Sequence, residues 1–146
     1  MSVSYWMIEG VGINTDKIES FLDKEKLAQM LLKQLPDDEE LLEMSVNKKY
    51  DGLDVREFLY GNPFENLGDL LTHCDDTDSI TYGDDGEGGS YFYYPPSMPW
   101  HRTETEPDTL EEVHRRIIKA VQVVTNLSAS EIETMIDDDL YVVGVG

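Results

Sequence analysis

The chain contains 146 residues, of which 40% are hydrophobic and 29% are charged, and its net charge is −20. This size predicts one globular domain, residues 1–146, whose core is large enough to fold without disulfides or a structural metal. Because nonspecific binding to nucleic acid or anionic lipid requires Lys and Arg on the protein, the charge argues against direct contact with either.

The N-terminal sequence lacks the basic start of a signal peptide and carries Glu9. No apolar run approaches the roughly 20 residues that span a bilayer. The single cysteine, Cys74, has no second cysteine with which to form a disulfide, which fits a reducing compartment. We therefore expect a cytoplasmic protein that does not bind membranes.

The N-terminal part of the chain predicts a strand followed by helices. Residues 3–13 are rich in Val, Ile, Tyr and Trp, which is typical of a strand, and two glycines loosen it. Apolar residues recur at helical spacing over residues 18–35, with a break near Asp23, until Pro36 ends the pattern. Residues 37–44 predict a short acidic helix with carboxylates near its N-terminus.

The central part predicts two short helices and a hairpin. Residues 55–60 and 62–71 show apolar side chains at helical spacing next to capping residues. Two β-prone runs, residues 79–82 and 90–94, then flank the segment GDDGEGG. A glycine-rich segment between such runs indicates an antiparallel hairpin, and we expect both of its aspartates to face solvent.

The C-terminal part contains the clearest helical pattern in the chain. Residues 108–124 place their apolar side chains on one face, and residues 128–136 predict a shorter helix. The chain then continues as LYVVGVG, an apolar run typical of a strand covered on both faces. An N-terminal strand, a central hairpin and a C-terminal strand, with helices between them, predict an α+β fold: a small, mainly antiparallel sheet packed with several helices.

Gly83, Asp84 and Asp85 resemble the Gly-Asp-Asp motif with which viral RNA polymerases bind metal, but the resemblance covers only these three residues. A polymerase palm and its surrounding parts are several times longer than this chain, so the motif alone does not indicate that activity. Glycines around the two aspartates supply the positive φ that a tight turn requires. The segment therefore predicts a turn.

Carboxylates in and before this turn could bind a divalent cation such as calcium, which prefers oxygen ligands. Their spacing does not follow an EF-hand, because Ile80 and Thr81 occupy positions that need a ligand and a glycine. The weak metal-binding candidates are Asp76, Asp78, Asp84, Asp85 and Glu87. They leave open an alternative function: a small divalent-metal-binding or carboxylate-using enzyme, or a ligand-binding domain, with its site near residues 75–87.

His73 and Cys74 are neighbours in sequence, yet adjacent side chains point in different directions and rarely form a catalytic dyad. We expect Cys74 to be a small buried hydrophobic residue and His114 to be half-buried on the long helix. No phosphate-binding loop, dinucleotide fingerprint, nucleophile elbow or zinc pattern occurs in the sequence. The sequence therefore predicts no catalytic residue and no cofactor.

The segment YFYYPPSMPWHR, residues 91–102, combines aromatic rings, prolines, Met and Arg. These residue types are enriched at the centres of protein interfaces, although alternate rings of a strand also fill cores. Three consecutive aspartates after the last predicted helix would oppose its dipole, and a cationic partner would offset that effect. The candidate partner-binding residues are Tyr91, Tyr93, Trp100, Arg102, Asp137, Asp138 and Asp139.

Two functional classes remain. The first, which the charge favours, is a non-enzymatic acidic module that binds a basic partner protein, as an inhibitor or as a nucleic-acid mimic that presents carboxylates where phosphates would lie. The second is the metal- or carboxylate-dependent domain described above, for which the sequence shows no spaced catalytic constellation. No motif in the chain identifies a family.

Overall fold

The computed structural model of the protein describes residues 3–59, 63–75, 80–96, 107 and 109–146. This part of the chain forms four strands and seven helices, which confirms the predicted α+β class. The strands are β1 (Tyr5–Asn14), β2 (Thr81–Asp84), β3 (Ser90–Tyr94) and β4 (Asp137–Val145). They form one antiparallel sheet in the order β2-β3-β1-β4, so the N-terminal strand, the central hairpin and the C-terminal strand all lie where the sequence predicts.

Strand β1 is long enough to pair with two neighbouring strands. Its residues 5–12 pair with β4, whereas its residues 11–14 pair with β3. The pairing with β4 shifts register between Gly10 and Gly12, as in a β-bulge. A Cβ atom at Gly10 would collide with the carbonyl group of Tyr94, and one at Gly12 would collide with Tyr93, so only glycine lets the strands approach this closely.

The helices begin where polar side chains cap them. Asp23 accepts a hydrogen bond from the Lys26 amide at 3.0 Å, which confirms the predicted break before the second helix. The helix that leads to the hairpin begins at Leu67, later than the predicted range 62–71, because Asn66 caps it: Asn66 Oδ1 accepts a hydrogen bond from the Asp69 amide at 2.9 Å. The helices are α1 (Asp16–Glu19), α2 (Lys24–Gln34), α3 (Glu39–Asn47), α4 (Val55–Leu59), α5 (Leu67–Cys74), α6 (Leu110–Val124) and α7 (Ala129–Glu133).

The main core lies between the helices and one face of the sheet. Helix α5 packs against β2 and β3, and α6 packs against α2, α5, β1 and β3. Ile13 of β1 and Phe92 of β3 point into this core and are fully buried. The apolar side chains that the sequence predicts on one face of α6 are buried, and Ile117 and Val121 are among them. The helices thus pack mainly on β2, β3 and the second half of β1, where Ile13 lies.

A second, smaller core lies on the opposite face of the sheet. Its buried members are Ile8, Tyr91 and Leu140. The sheet curls around them, because the loop between β2 and β3 reaches the end of β4. There the Val145 amide donates to the Asp85 carbonyl at 3.1 Å, and Trp6 Nε1 donates to the Asp84 carbonyl at 2.7 Å. We call these two hydrogen bonds the corner contact; the first joins the hairpin loop to the end of β4, and the second joins the end of β2 to β1.

Two expectations about the C-terminus are wrong. Helix α7 ends at Glu133, and Asp137, Asp138 and Asp139 begin β4, so they do not lie at a helix end and the dipole argument does not apply to them. The strand is also not covered on both faces. It lies at the edge of the sheet beyond the helices, and its side chains alternate between buried and exposed.

The close approach at the bulge makes a stability prediction. Gly10→Ala adds a collision with the β3 backbone to the strain of a positive φ of 140°, whereas Gly88→Ala at φ 98° meets no atom within 4 Å. We expect Gly88→Ala to lower the free energy of unfolding by roughly 1–2 kcal/mol, and Gly10→Ala by roughly 3 kcal/mol or more. Urea unfolding of both variants checks this, and equal losses would contradict the role of Gly10.

Candidate functional site

The carboxylates of the hairpin loop bind the loop itself. Asp84 Oδ1 accepts a hydrogen bond from the Gly86 amide at 2.9 Å. Asp85 Oδ1 accepts from the amides of Glu87 at 2.8 Å and Gly89 at 2.9 Å. Gly86 and Gly88 adopt positive φ angles of 79° and 98°. The predicted turn is therefore confirmed, and both aspartates have a structural role in it.

The exposure of the two aspartates differs from the expectation. Asp84 is exposed, but Asp85 is half-buried, because its carboxylate accepts two loop amides and its carbonyl accepts from Val145. Within the described ranges, no group of three or more His, Cys, Asp or Glu residues could hold a metal ion. Asp76 and Asp78 lie outside those ranges, so the proposed metal ligands stay a prediction.

A cleft of about 360 Å³ lies beside this loop, where the alternative function would place its site. Glu65 and Asp84 bring carboxylates to it, and glycine backbone forms much of its wall. Glu65 is already engaged, because its Oε2 accepts a hydrogen bond from the Tyr82 hydroxyl at 3.1 Å. Burial of Tyr82 and this hydrogen bond raise the pKa of the phenol, so it donates to the carboxylate at neutral pH.

Cys74 and His73 form no catalytic pair. Burial raises the pKa of the Cys74 thiol to about 12, which keeps it protonated and poorly nucleophilic at neutral pH. Its Sγ bonds the Leu70 carbonyl at 3.5 Å, whereas His73 Nδ1 lies 3.0 Å from the Asp69 carbonyl. The structure therefore gives Cys74 the packing role that the sequence predicts.

Of the two rings proposed as a partner anchor on β3, Tyr91 is buried and Tyr93 is half-buried. Tyr91 is 8% exposed in the second core, and Tyr93 packs against that core. Strand alternation predicts one buried face of β3, but the curl of the sheet buries part of both of its faces. This placement favours core packing over partner binding for the two rings, whose pKa values are raised by burial. Trp100 and Arg102 lie outside the described residues.

A group of five exposed aromatic and aliphatic side chains lies instead on β1 and β4. Cross-strand partners such as Tyr5 and Val145, or Met7 and Val143, stand directly opposite one another and share one side of the sheet. Tyr5 is 69% exposed, Met7 52% and Tyr141 59%. We call this surface the apolar face; it consists of Tyr5, Met7, Tyr141, Val143 and Val145.

Carboxylates border the apolar face at both of its ends. Glu9 stands directly opposite Tyr141, and the three aspartates of β4 follow at that end. At the other end, the corner contact brings the acidic hairpin loop to Val145. The four described strands contain five Asp and Glu residues and no Lys or Arg. The described strands therefore bring only negative charge to the apolar face.

One of these aspartates also binds a histidine. His114 of α6 lies between Glu133 of α7 and Asp138 of β4, with Nδ1 and Nε2 each 2.5 Å from a carboxylate oxygen. The imidazole is 15% exposed. Its burial favours the neutral ring, but the hydrogen bonds to Asp138 and Glu133 outweigh that effect and raise the pKa of His114. This cluster joins the start of β4 to α6 and α7, and no local pattern in the sequence predicts the contact.

An open groove of about 580 Å³ runs between α6 and α7 beside this cluster. Leu110 and Ile118 form apolar parts of its wall, and His114, Arg115 and Glu133 form polar parts. Arg115 is paired with Glu112, whose pKa it lowers to about 2. The groove thus carries mixed charge, unlike the apolar face.

No protein-family model matches the chain, and no curated protein or solved structure is significantly similar to it. Among the helices of the described residues, none has the length and apolar character needed to cross a bilayer. The geometry and charge of the described surface are therefore the basis for the function proposed below.

The histidine cluster predicts a pH dependence of stability. Because the folded pKa of His114 lies above its ordinary 6.5, its stabilising effect is complete below about pH 6.5 and is lost as the pH rises through the folded pKa. We expect the difference in unfolding free energy between the wild type and His114→Gln to shrink across that interval. Urea unfolding at several pH values measures it; a difference that stays constant with pH would contradict the ionic role of His114.

Proposed function

We propose that the chain is a non-enzymatic protein-binding module that docks its apolar face on a basic partner protein. The observation that carries the proposal is the exposure of Tyr5, Met7 and Tyr141 beside one another on strands that contain only acidic charges. Large exposed apolar patches on folded proteins mark interaction sites.

The two parts of this surface have different roles in the proposed complex. Aromatic and Met side chains bury large areas for a small loss of conformational entropy, so Tyr5, Met7 and Tyr141 would supply most of the affinity. The carboxylates at both ends would attract a cationic surface and orient it during the encounter. Acidic residues at the rim would also repel acidic proteins, which makes the partner choice specific.

The charge of the whole chain favours one class of partner. A net charge of −20 suits a protein whose own surface carries clustered Lys and Arg, as clefts that bind nucleic acid do. The module would then act as an inhibitor, because its carboxylates occupy the positions of phosphates. The chain has a single cysteine and so cannot form an internal disulfide, which is compatible with a reducing compartment, and we propose that the module acts in the cytoplasm.

The proposal is tested by affinity capture from cell lysate with matched variants. Tyr5→Ser with Met7→Ser removes two large side chains from the apolar face. Phe21→Ser with Val46→Ser removes two exposed apolar side chains that lie elsewhere, on the helical part of the molecule. We expect the wild type and the control variant to retain the same basic protein at low salt, and the Tyr5 and Met7 variant to lose it.

High salt should weaken the capture, because the carboxylate rim acts through screened electrostatic attraction. The partner should have a net positive charge or a lysine- and arginine-rich patch. Capture that is unaffected by Tyr5→Ser with Met7→Ser, an acidic partner, or no specific partner at low salt would each contradict the proposed function.

A further inference from the structure

The hydrogen bonds of β4 show which of its backbone groups point away from the sheet. Ser4 and Gly146 exchange two backbone hydrogen bonds, at 2.7 and 3.0 Å. In an antiparallel ladder such pairs alternate with pairs that make no bond to each other. By this alternation, Val145, Val143 and Tyr141 make no backbone hydrogen bond to the β1 residues opposite them. Their amide and carbonyl groups point away from β1.

The two ends of this outer edge are occupied. At one end, the Val145 amide donates to the Asp85 carbonyl of the hairpin loop, as the alternation requires. At the other end, the Asp139 amide donates to Asp137 Oδ1 at 2.9 Å. Between them, the outward backbone groups of Tyr141 and Val143 make no hydrogen bond to the described residues. We call these two residues the open edge.

Among the described residues, the open edge also lacks the features that keep edge strands from pairing. Protective edges carry lysine, proline or inward-pointing charges, or they are covered by another element. Residues 140–145 contain no charge and no proline. Tyr141 and Val143 within this stretch belong to the exposed apolar face. The aspartates protect only the first part of β4.

We propose that the partner docks by adding an extended strand to the open edge of β4. This inference rests on the proposed function and specifies how the partner binds. Main-chain hydrogen bonds to Tyr141 and Val143 would fix the position of the added strand, and its alternate side chains would extend the apolar face. The strand is short, because the hairpin loop at Val145 and the aspartates at Asp139 limit its length.

Charge complementarity selects the chemistry of the added strand. Acidic residues lie at both ends of the open edge, and the described strands carry no base to neutralise them. Apolar residues in the middle and Lys or Arg at both ends therefore match this edge. A second copy of the chain matches it poorly, because each copy has a net charge of −20 and brings its own acidic strands to the contact.

The test uses a synthetic peptide with the sequence Lys-Lys-Val-Thr-Val-Thr-Val-Lys-Lys and the full chain. On titration, the backbone amide signals of Tyr141 and Val143 should shift and become protected from exchange in nuclear magnetic resonance spectra. Val143→Pro removes an outward amide without removing a bond to β1, so it should weaken binding by roughly tenfold. Val143→Thr keeps the amide and serves as the matched control.

A second form of the peptide tests the same bond without changing the protein. Methylation of its central backbone nitrogen should also weaken binding by roughly tenfold. Equal binding of all protein and peptide forms would overturn strand addition, as would a wild-type chain that does not bind the peptide at all. If the chain forms a dimer in sedimentation experiments, and the amide signals of Tyr141 and Val143 show that the open edge forms the dimer contact, the proposal of a basic partner strand would be overturned. Loss of capture in the Tyr5 and Met7 variant is read separately, so docking through the apolar face can stand even if strand addition fails.

Discussion

The corner contact between the hairpin loop and the end of β4 is the interaction on which the rest of the sheet depends. The Val145 amide donates to the Asp85 carbonyl, so the hairpin loop that follows β2 is joined to β4 although β3 and β1 lie between these outer strands. Trp6 Nε1 of β1 donates to the Asp84 carbonyl at the end of β2. Such a join requires a sharply curled sheet, and the glycine bulge in β1 permits the curl. The curl in turn encloses the second core.

The same curl determines which side chains a partner can reach. Tyr91 and Leu140 lie on the inner side of the curled sheet and are buried, whereas Tyr5 and Met7 lie on its outer side and are exposed. The helices leave that outer side exposed, because they pack mainly on β2, β3 and the other half of β1. Exposure of the apolar face is therefore a consequence of the topology, and the acidic composition of the strands sets the kind of surface that can meet it.

Local signals predicted the elements of the fold, but the candidate site depends on contacts between distant residues. Caps such as Asp23 and the glycines of the hairpin act within a few residues, so the sequence alone reveals them. The apolar run LYVVGVG predicts a strand covered on both faces, because the sequence does not show that β4 lies at an edge. The pairing of His114 with Asp138 likewise joins residues that are 24 positions apart.

Hydrogen–deuterium exchange of the chain with and without its captured partner tests the central claim most directly. Docking through the apolar face predicts slower exchange in β4 from Tyr141 to Val145 and in the first half of β1, with α6 and α7 unchanged. Slower exchange confined to the groove between α6 and α7, or to the cleft beside the hairpin, would contradict the account.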